Sequence, residues 1–91
     1  MAKLVKTSGE TLEVQPLNKK SFTLSELQSY VGGYIEMVNL PNGECMICNE
    51  EGLLLNLPYN ETATDLVARL YDTQTQDFAG DVLFINQSEI N

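Results

Sequence analysis

Between two β-leaning runs, Tyr34 to Leu40 and Glu44 to Asn49, the chain places Pro41-Asn42-Gly43. Asn-Gly is the pair that a tight type I′ hairpin turn prefers, because both central residues of that turn need positive φ. Whatever the chain folds into must therefore contain an antiparallel pair here. With Asn42 and Gly43 as a two-residue loop, Leu40 opposes Cys45, Val38 opposes Ile47, and Glu36 opposes Asn49 on one face. A longer loop shifts that register.

The remaining elements are short and follow one another without a linker. Lys3 to Thr7 and Thr11 to Gln15 flank Ser8-Gly9-Glu10 and read as a first hairpin. Thr23-Leu24-Ser25-Glu26 has capping-box spacing, in which the Thr and Glu side chains satisfy each other's free backbone donors. A helix starts there, places Leu24, Leu27, Tyr30 and Val31 on one face, and ends at Gly32-Gly33. Leu53 to Leu57 is a short apolar segment. Ala63, Leu66, Val67, Leu70 and Tyr71 carry the i, i+3, i+4, i+7, i+8 spacing of a second amphipathic helix, capped by Asn60 or Thr62. Asp72 to Ala79 reads as a polar loop. Val82-Leu83-Phe84-Ile85 is apolar at every position, as in a strand buried on both faces at the centre of a sheet.

Strand-strand-helix-strand-strand-helix-strand implies an α+β domain, and 91 residues hold one such core, so residues 1–91 form a single domain. A small β-grasp-like arrangement fits the order: a mixed sheet of about five strands, packed on one or two helices, with the last strand beside the first and parallel to it.

Charge and chemistry exclude several functions. Thirteen acidic against five basic side chains give a net charge of −8, and from residue 21 onward Arg69 stands alone against eleven carboxylates. Such a surface repels phosphate backbones, so direct nucleic acid binding is not expected. No apolar run approaches the roughly 20 residues of a membrane span, and Lys3 and Lys6 interrupt any signal-peptide core, so a cytoplasmic location is expected. The chain has no histidine, which removes the commonest general base and the Ser-His and Cys-His nucleophile pairs. Cys45-Met46-Ile47-Cys48 has CxxC spacing but lacks the further ligands of a zinc site. In a strand its thiols point to opposite faces, so buried, reduced, metal-free cysteines are expected. Glu61 with Asp65 lie one helical turn apart, where acidic residues ordinarily serve the helix dipole. No catalytic residue, metal or cofactor is assigned, and no enzyme is expected.

The stretch Val31-Gly32-Gly33-Tyr34-Ile35-Glu36, with Leu40-Pro41-Asn42-Gly43, Cys48-Asn49-Glu50-Glu51-Gly52 and Leu57-Pro58-Tyr59-Asn60, resembles the domain of unknown function 3846 family. Leu27 to Glu36 and Cys48 to Gly52 match its two core motifs, and Ala79-Gly80-Asp81-Val82 resembles its closing strand. The helical segment Glu61 to Asp77 is longer than the family pattern. The resemblance implies an accessory protein of a phage, plasmid or other mobile element in a bacterial cytoplasm, and it carries over no catalytic residue.

From these observations the expected function is a small acidic binding module that contacts a host or phage protein. Two alternatives remain: an acidic nucleic-acid mimic that inhibits a host defence protein, and a small-ligand-binding or sequestering protein. Glu36, Asn49, Glu50 and Glu51 are the candidate binding residues, because the two-residue hairpin register converges them near one end of the sheet and loop residues carry function without disturbing packing.

Overall fold

The computed structural model describes residues 2–71 and 77–90. Strands β1 (Ala2–Val5), β2 (Thr11–Val14), β3 (Ile35–Asn39), β4 (Glu44–Asn49) and β5 (Val82–Asn86) form one sheet in the order β2-β1-β5-β4-β3. Helices α1 (Leu24–Val31) and α2 (Glu61–Tyr71) cover its two faces. The unbroken apolar run in β5 follows from this placement. Leu83 and Ile85 pack with Leu27 and Val31 of α1, while Val82 and Phe84 pack with Ala63 and Val67 of α2. Each such buried side chain is worth about 1.5–3 kcal/mol, so a polar residue at any of the four positions would forfeit about that much.

The α+β class and the central last strand hold, but the mixed sheet and the parallel pairing of first and last strands do not. All four pairings between these strands are antiparallel, including β1 with β5 (Leu4 opposite Leu83). The cause lies at the base of the excursion between β4 and β5. The Asn60 N–H donates to the Phe78 carbonyl (2.8 Å), the Gly80 N–H donates to the Pro58 carbonyl (2.7 Å), and Tyr59 bridges Ala79. The chain thus returns to the end of the sheet that it left, and β5 runs back along β4. Because β1 and β4 run in the same direction on either side of β5, a strand antiparallel to one is antiparallel to both.

The β3–β4 hairpin is built on a different turn from the one Asn-Gly suggests. Leu40 and Glu44 close the ladder, with the Leu40 N–H on the Glu44 carbonyl (2.9 Å) and the Gly43 N–H on the Leu40 carbonyl (3.3 Å). Pro41, Asn42 and Gly43 therefore make a three-residue loop. Only Gly43 takes positive φ (+87°), which is a type I turn followed by a left-handed glycine. Proline dictates this choice, since its fixed φ suits the second position of a type I turn and it has no N–H to give the ladder. The register moves by one residue: Glu36 opposes Cys48, and Asn49 opposes Ile35. The first hairpin uses the same device, with Lys6 and Glu10 closing a loop of Thr7, Ser8 and Gly9, the last at φ +94°.

Helix α1 begins as its sequence requires. The Glu26 N–H donates to Thr23 Oγ1 (3.2 Å) and the Thr23 N–H to Glu26 Oε1 (3.0 Å). Glu26 also accepts the Leu17 N–H (2.9 Å), and these backbone donors, Thr23 first, hold its carboxyl below the ordinary range. Leu27 and Val31 are buried, Tyr30 meets Phe22 edge-on with ring centres 6.2 Å apart, and Leu24 is left exposed. Helix α2 starts on Asn60, not Thr62: Asn60 Oδ1 accepts the Ala63 N–H (3.0 Å), and Nδ2 donates to the carbonyls of Val5 (3.0 Å) and Gly80 (2.9 Å). One buried side chain thereby ties the helix to β1 and to the entry of β5. The buried stripe of α2 is Ala63, Thr64 and Val67, so Leu66, Leu70 and Tyr71 of the expected apolar face remain more than a third exposed. The Tyr71 hydroxyl donates to the Asn39 carbonyl and pins the end of α2 to the edge of β3. Of the expected polar loop Asp72 to Ala79, residues 72–76 lie outside the described residues, and Phe78 and Ala79 are buried.

Candidate functional site

The chain leaves β4 through Glu50, Glu51 and Gly52 and folds Leu53 to Leu57 into consecutive turns, not a strand. The Leu55 N–H donates to the Glu51 carbonyl (2.9 Å), the Asn56 N–H to Leu53 (3.2 Å) and the Leu57 N–H to Gly52 (3.0 Å), with Asn56 at φ +54°. These bonds fix the loop while turning its side chains outward. Leu53, Leu54 and Leu55 are 69%, 81% and 55% exposed. Three adjacent leucines thus face solvent on a loop fixed by its own backbone hydrogen bonds.

Leu53 and Leu54 border a cleft of about 330 Å³ that Glu36, Cys48, Glu50 and Asp77 also line. The structure thus brings Glu36 and Glu50 to one place, with Asn49 at its edge, and leaves Glu51 outside the lining. The route differs from the expected one. In the shifted register Glu36 lies beside Cys48 on the α2 face, whereas Asn49 points to the α1 face. Asn49 is buried there: Nδ2 donates to the Val31 carbonyl at the end of α1 (3.1 Å) and Oδ1 accepts the Glu51 N–H (2.8 Å). A β-carbon on Gly33 would sit 3.0 Å from Asn49 Nδ2. Asn49 therefore holds the loop to α1, and its polar atoms are already engaged. Glu36, Glu50 and Asp77 are exposed and available for contact.

The cleft is poorly suited to nucleophilic chemistry. The Cys48 thiol lies 3.7 Å from the Glu36 carbonyl and 3.8 Å from Glu36 Oε1, and burial, reinforced by the Glu36 carboxylate, pushes its pKa up to about 12. Cys45 points to the opposite face among the α1 contacts, where burial and then Glu44 raise its thiol as well. The two cysteines are free and on opposite sides of the sheet, as their strand spacing requires. Among the described residues, no group of three His, Cys, Asp or Glu side chains could hold a metal ion, and no helix is long and apolar enough to cross a membrane.

The leucine loop and Asp77 escaped the sequence reading. A run of three leucines after Glu-Glu-Gly has neither strand alternation nor room for a helix before Pro58, and that mismatch was the available signal.

The model of the domain of unknown function DUF3846 family matches residues 1–90. No curated protein and no solved structure matches the chain.

Proposed function

The chain belongs to the DUF3846 family, and from that footing we propose that it is a non-enzymatic binding module whose contact surface is the Leu53–Leu55 loop with its acidic border. The observation that carries this reading is the ordered exposure of the three leucines beside Glu36, Glu50 and Asp77. An apolar centre inside a charged border is how protein interfaces are built, and a loop already fixed by its own hydrogen bonds loses little freedom on docking. The partner chemistry follows: an amphipathic segment offering apolar side chains to the leucines and Lys or Arg to the carboxylates. The absence of histidine and the upward-shifted thiols support a role without catalysis. The family resemblance supports a phage or mobile-element setting, a bacterial cytoplasmic location and a host or phage protein as partner.

Affinity capture from host lysate tests the reading, using the parent chain, Leu53→Ser/Leu54→Ser and Glu50→Ala/Glu51→Ala. Both double variants should melt within about 0.5 kcal/mol of the parent, because they alter exposed positions and leave the Asn49 bond to the Glu51 N–H in place. The leucine variant should lose the captured partner, and the carboxylate variant should weaken capture. Partner retention at about 1 M salt, where the screening length is about 3 Å, separates this surface from an acidic nucleic-acid mimic. A stable leucine variant that captures the same partner, or capture that salt alone abolishes, would refute the proposal.

A further inference from the structure

A second cleft, larger and chemically different, opens on the α2 face of the sheet. It measures about 580 Å³, within the range of small-molecule sites (roughly 300–1,000 Å³). Its floor is apolar: Val5 of β1 and Phe84 of β5 below, Leu66 and Leu70 of α2 alongside. The two leucines belong to the apolar stripe of α2, yet they stay 38% and 37% exposed because the helix packs on the sheet through Ala63, Thr64 and Val67. A helix that keeps half its apolar stripe out of the core leaves a surface for something else to cover.

The rim states what that is. Lys3 on the sheet and Arg69 on α2 both line this cleft, and they are two of only five cations in a chain with thirteen carboxylates. Among the described residues neither makes a hydrogen bond or ion pair through its side chain. Carboxylates lie nearby, Asp65 among them, one helical turn before Arg69 on α2. Glu44 also lines the cleft and accepts from Asn42 Nδ2 (3.1 Å), and Glu13 stands across from Lys3 in the β1–β2 ladder. Lys3 and Arg69 thus bring two cationic side chains to the lining of one cleft with an apolar floor, in a chain of net charge −8.

We propose that this cleft binds an apolar carboxylate, with its hydrocarbon body on Val5, Phe84, Leu66 and Leu70 and its carboxylate between the Lys3 ammonium and the Arg69 guanidinium. Both parts are needed. The floor alone accepts any apolar body, and the two cations favour an anionic head over a neutral or cationic one. A phosphate without an apolar body forgoes the floor, where most of the contact area lies.

The test uses decanoate and, as the uncharged molecule of equal length, 1-decanol, with binding followed by calorimetry and by methyl resonances of the intact chain. Decanoate should bind one to one and shift the methyl signals of Val5, Leu66 and Leu70. Lys3→Gln and Arg69→Gln, both exposed substitutions, should each weaken decanoate about threefold to tenfold and leave decanol within twofold. Leu53→Ser/Leu54→Ser should leave decanoate binding unchanged, so the outcome is independent of the protein-contact surface. Decanol bound as tightly as decanoate, shifts centred on the leucine loop, indifference to both cation substitutions, or no saturable binding would each overturn the proposal.

Discussion

Asn60 is the side chain on which the attachment of α2 depends, and replacing it tests how that helix is held. Its side chain is fully buried and makes three hydrogen bonds, accepting from Ala63 and donating to Val5 and Gly80. Asn60→Ala removes a helix cap worth about 1 kcal/mol. It also deprives two buried carbonyls of a donor, at about 1–3 kcal/mol each if nothing replaces it, with the lower end favoured because carbonyls tolerate a lost partner better than N–H groups do. The expected loss is about 3 kcal/mol. At about 4–8 °C per kcal/mol for a chain of this size, the melting temperature should fall by roughly 12–24 °C. Asn60→Asp gives the sharper result, because it keeps the cap but sets a carboxylate against the Val5 and Gly80 carbonyls at a fully buried position. Burial and those oxygens raise its folded-state pKa above the ordinary value of about 3.9. A raised folded pKa means that stability present below about pH 3.9 is lost as pH rises through the folded value. The aspartate variant should therefore be more stable at pH 5 than at pH 8 relative to the parent. Urea titrations followed by circular dichroism at both pH values measure this. An alanine variant that melts within about 3 °C of the parent, or an aspartate variant that gains relative stability as pH rises, would refute the account of Asn60.

Two further outcomes follow from burial. With Cys48 raised to about 12 and Cys45 also raised, folding should weaken as pH climbs from the ordinary thiol range near 9 toward 12, since the unfolded chain ionises its thiols first, and Cys48→Ala should reduce that slope; a denaturation midpoint unaffected by the substitution across that range would contradict it. The amides of Val82 to Ile85, hydrogen-bonded between β1 and β4 under both helices, should be among the slowest to exchange with deuterium, and exchange as fast as in β2 would mean that β5 is not held between the two layers.

The parts of the fold that were legible in the sequence are those where one local signal had no competitor. Thr23 and Glu26 form the capping box because nothing else occupies those donors, and Val82 to Ile85 is central because only a strand covered on both sides accommodates four apolar residues in a row. The direction of β5 was not legible. It depends on hydrogen bonds between Pro58 and Gly80 and between Asn60 and Phe78, pairs separated by about twenty positions with no periodic pattern to link them. The stripe of α2 was legible as a helix but not as a packing surface. Spacing marks Leu66 and Leu70 as apolar, whereas the small Ala63 and the hydroxyl of Thr64, which accepts the Phe78 N–H (3.0 Å), decide how the helix sits.

The candidate site turned on a single residue of loop length. Asn42-Gly43 argues for a two-residue turn and Pro41 for a three-residue one, and proline prevails because the shorter loop would set Pro41 opposite Glu44 in the ladder, where it has no N–H to donate. Since side chains alternate along a strand, that one residue carries Glu36 from the face of Asn49 to the face of Cys48. The consequence runs in both directions. Asn49 is released from the expected binding set and becomes the tie between β4 and α1, and Glu36 is placed where it raises the Cys48 thiol and borders the leucine loop. A chain with glycine in place of Pro41 would restore the competition between the two turns, and a slip to the shorter loop would turn Glu36 away from Cys48 and toward the α1 face, opposite Asn49. The place of Glu36 in the acidic border of the leucine loop therefore depends on Pro41, whereas Glu50 and Asp77 reach that border from other parts of the chain.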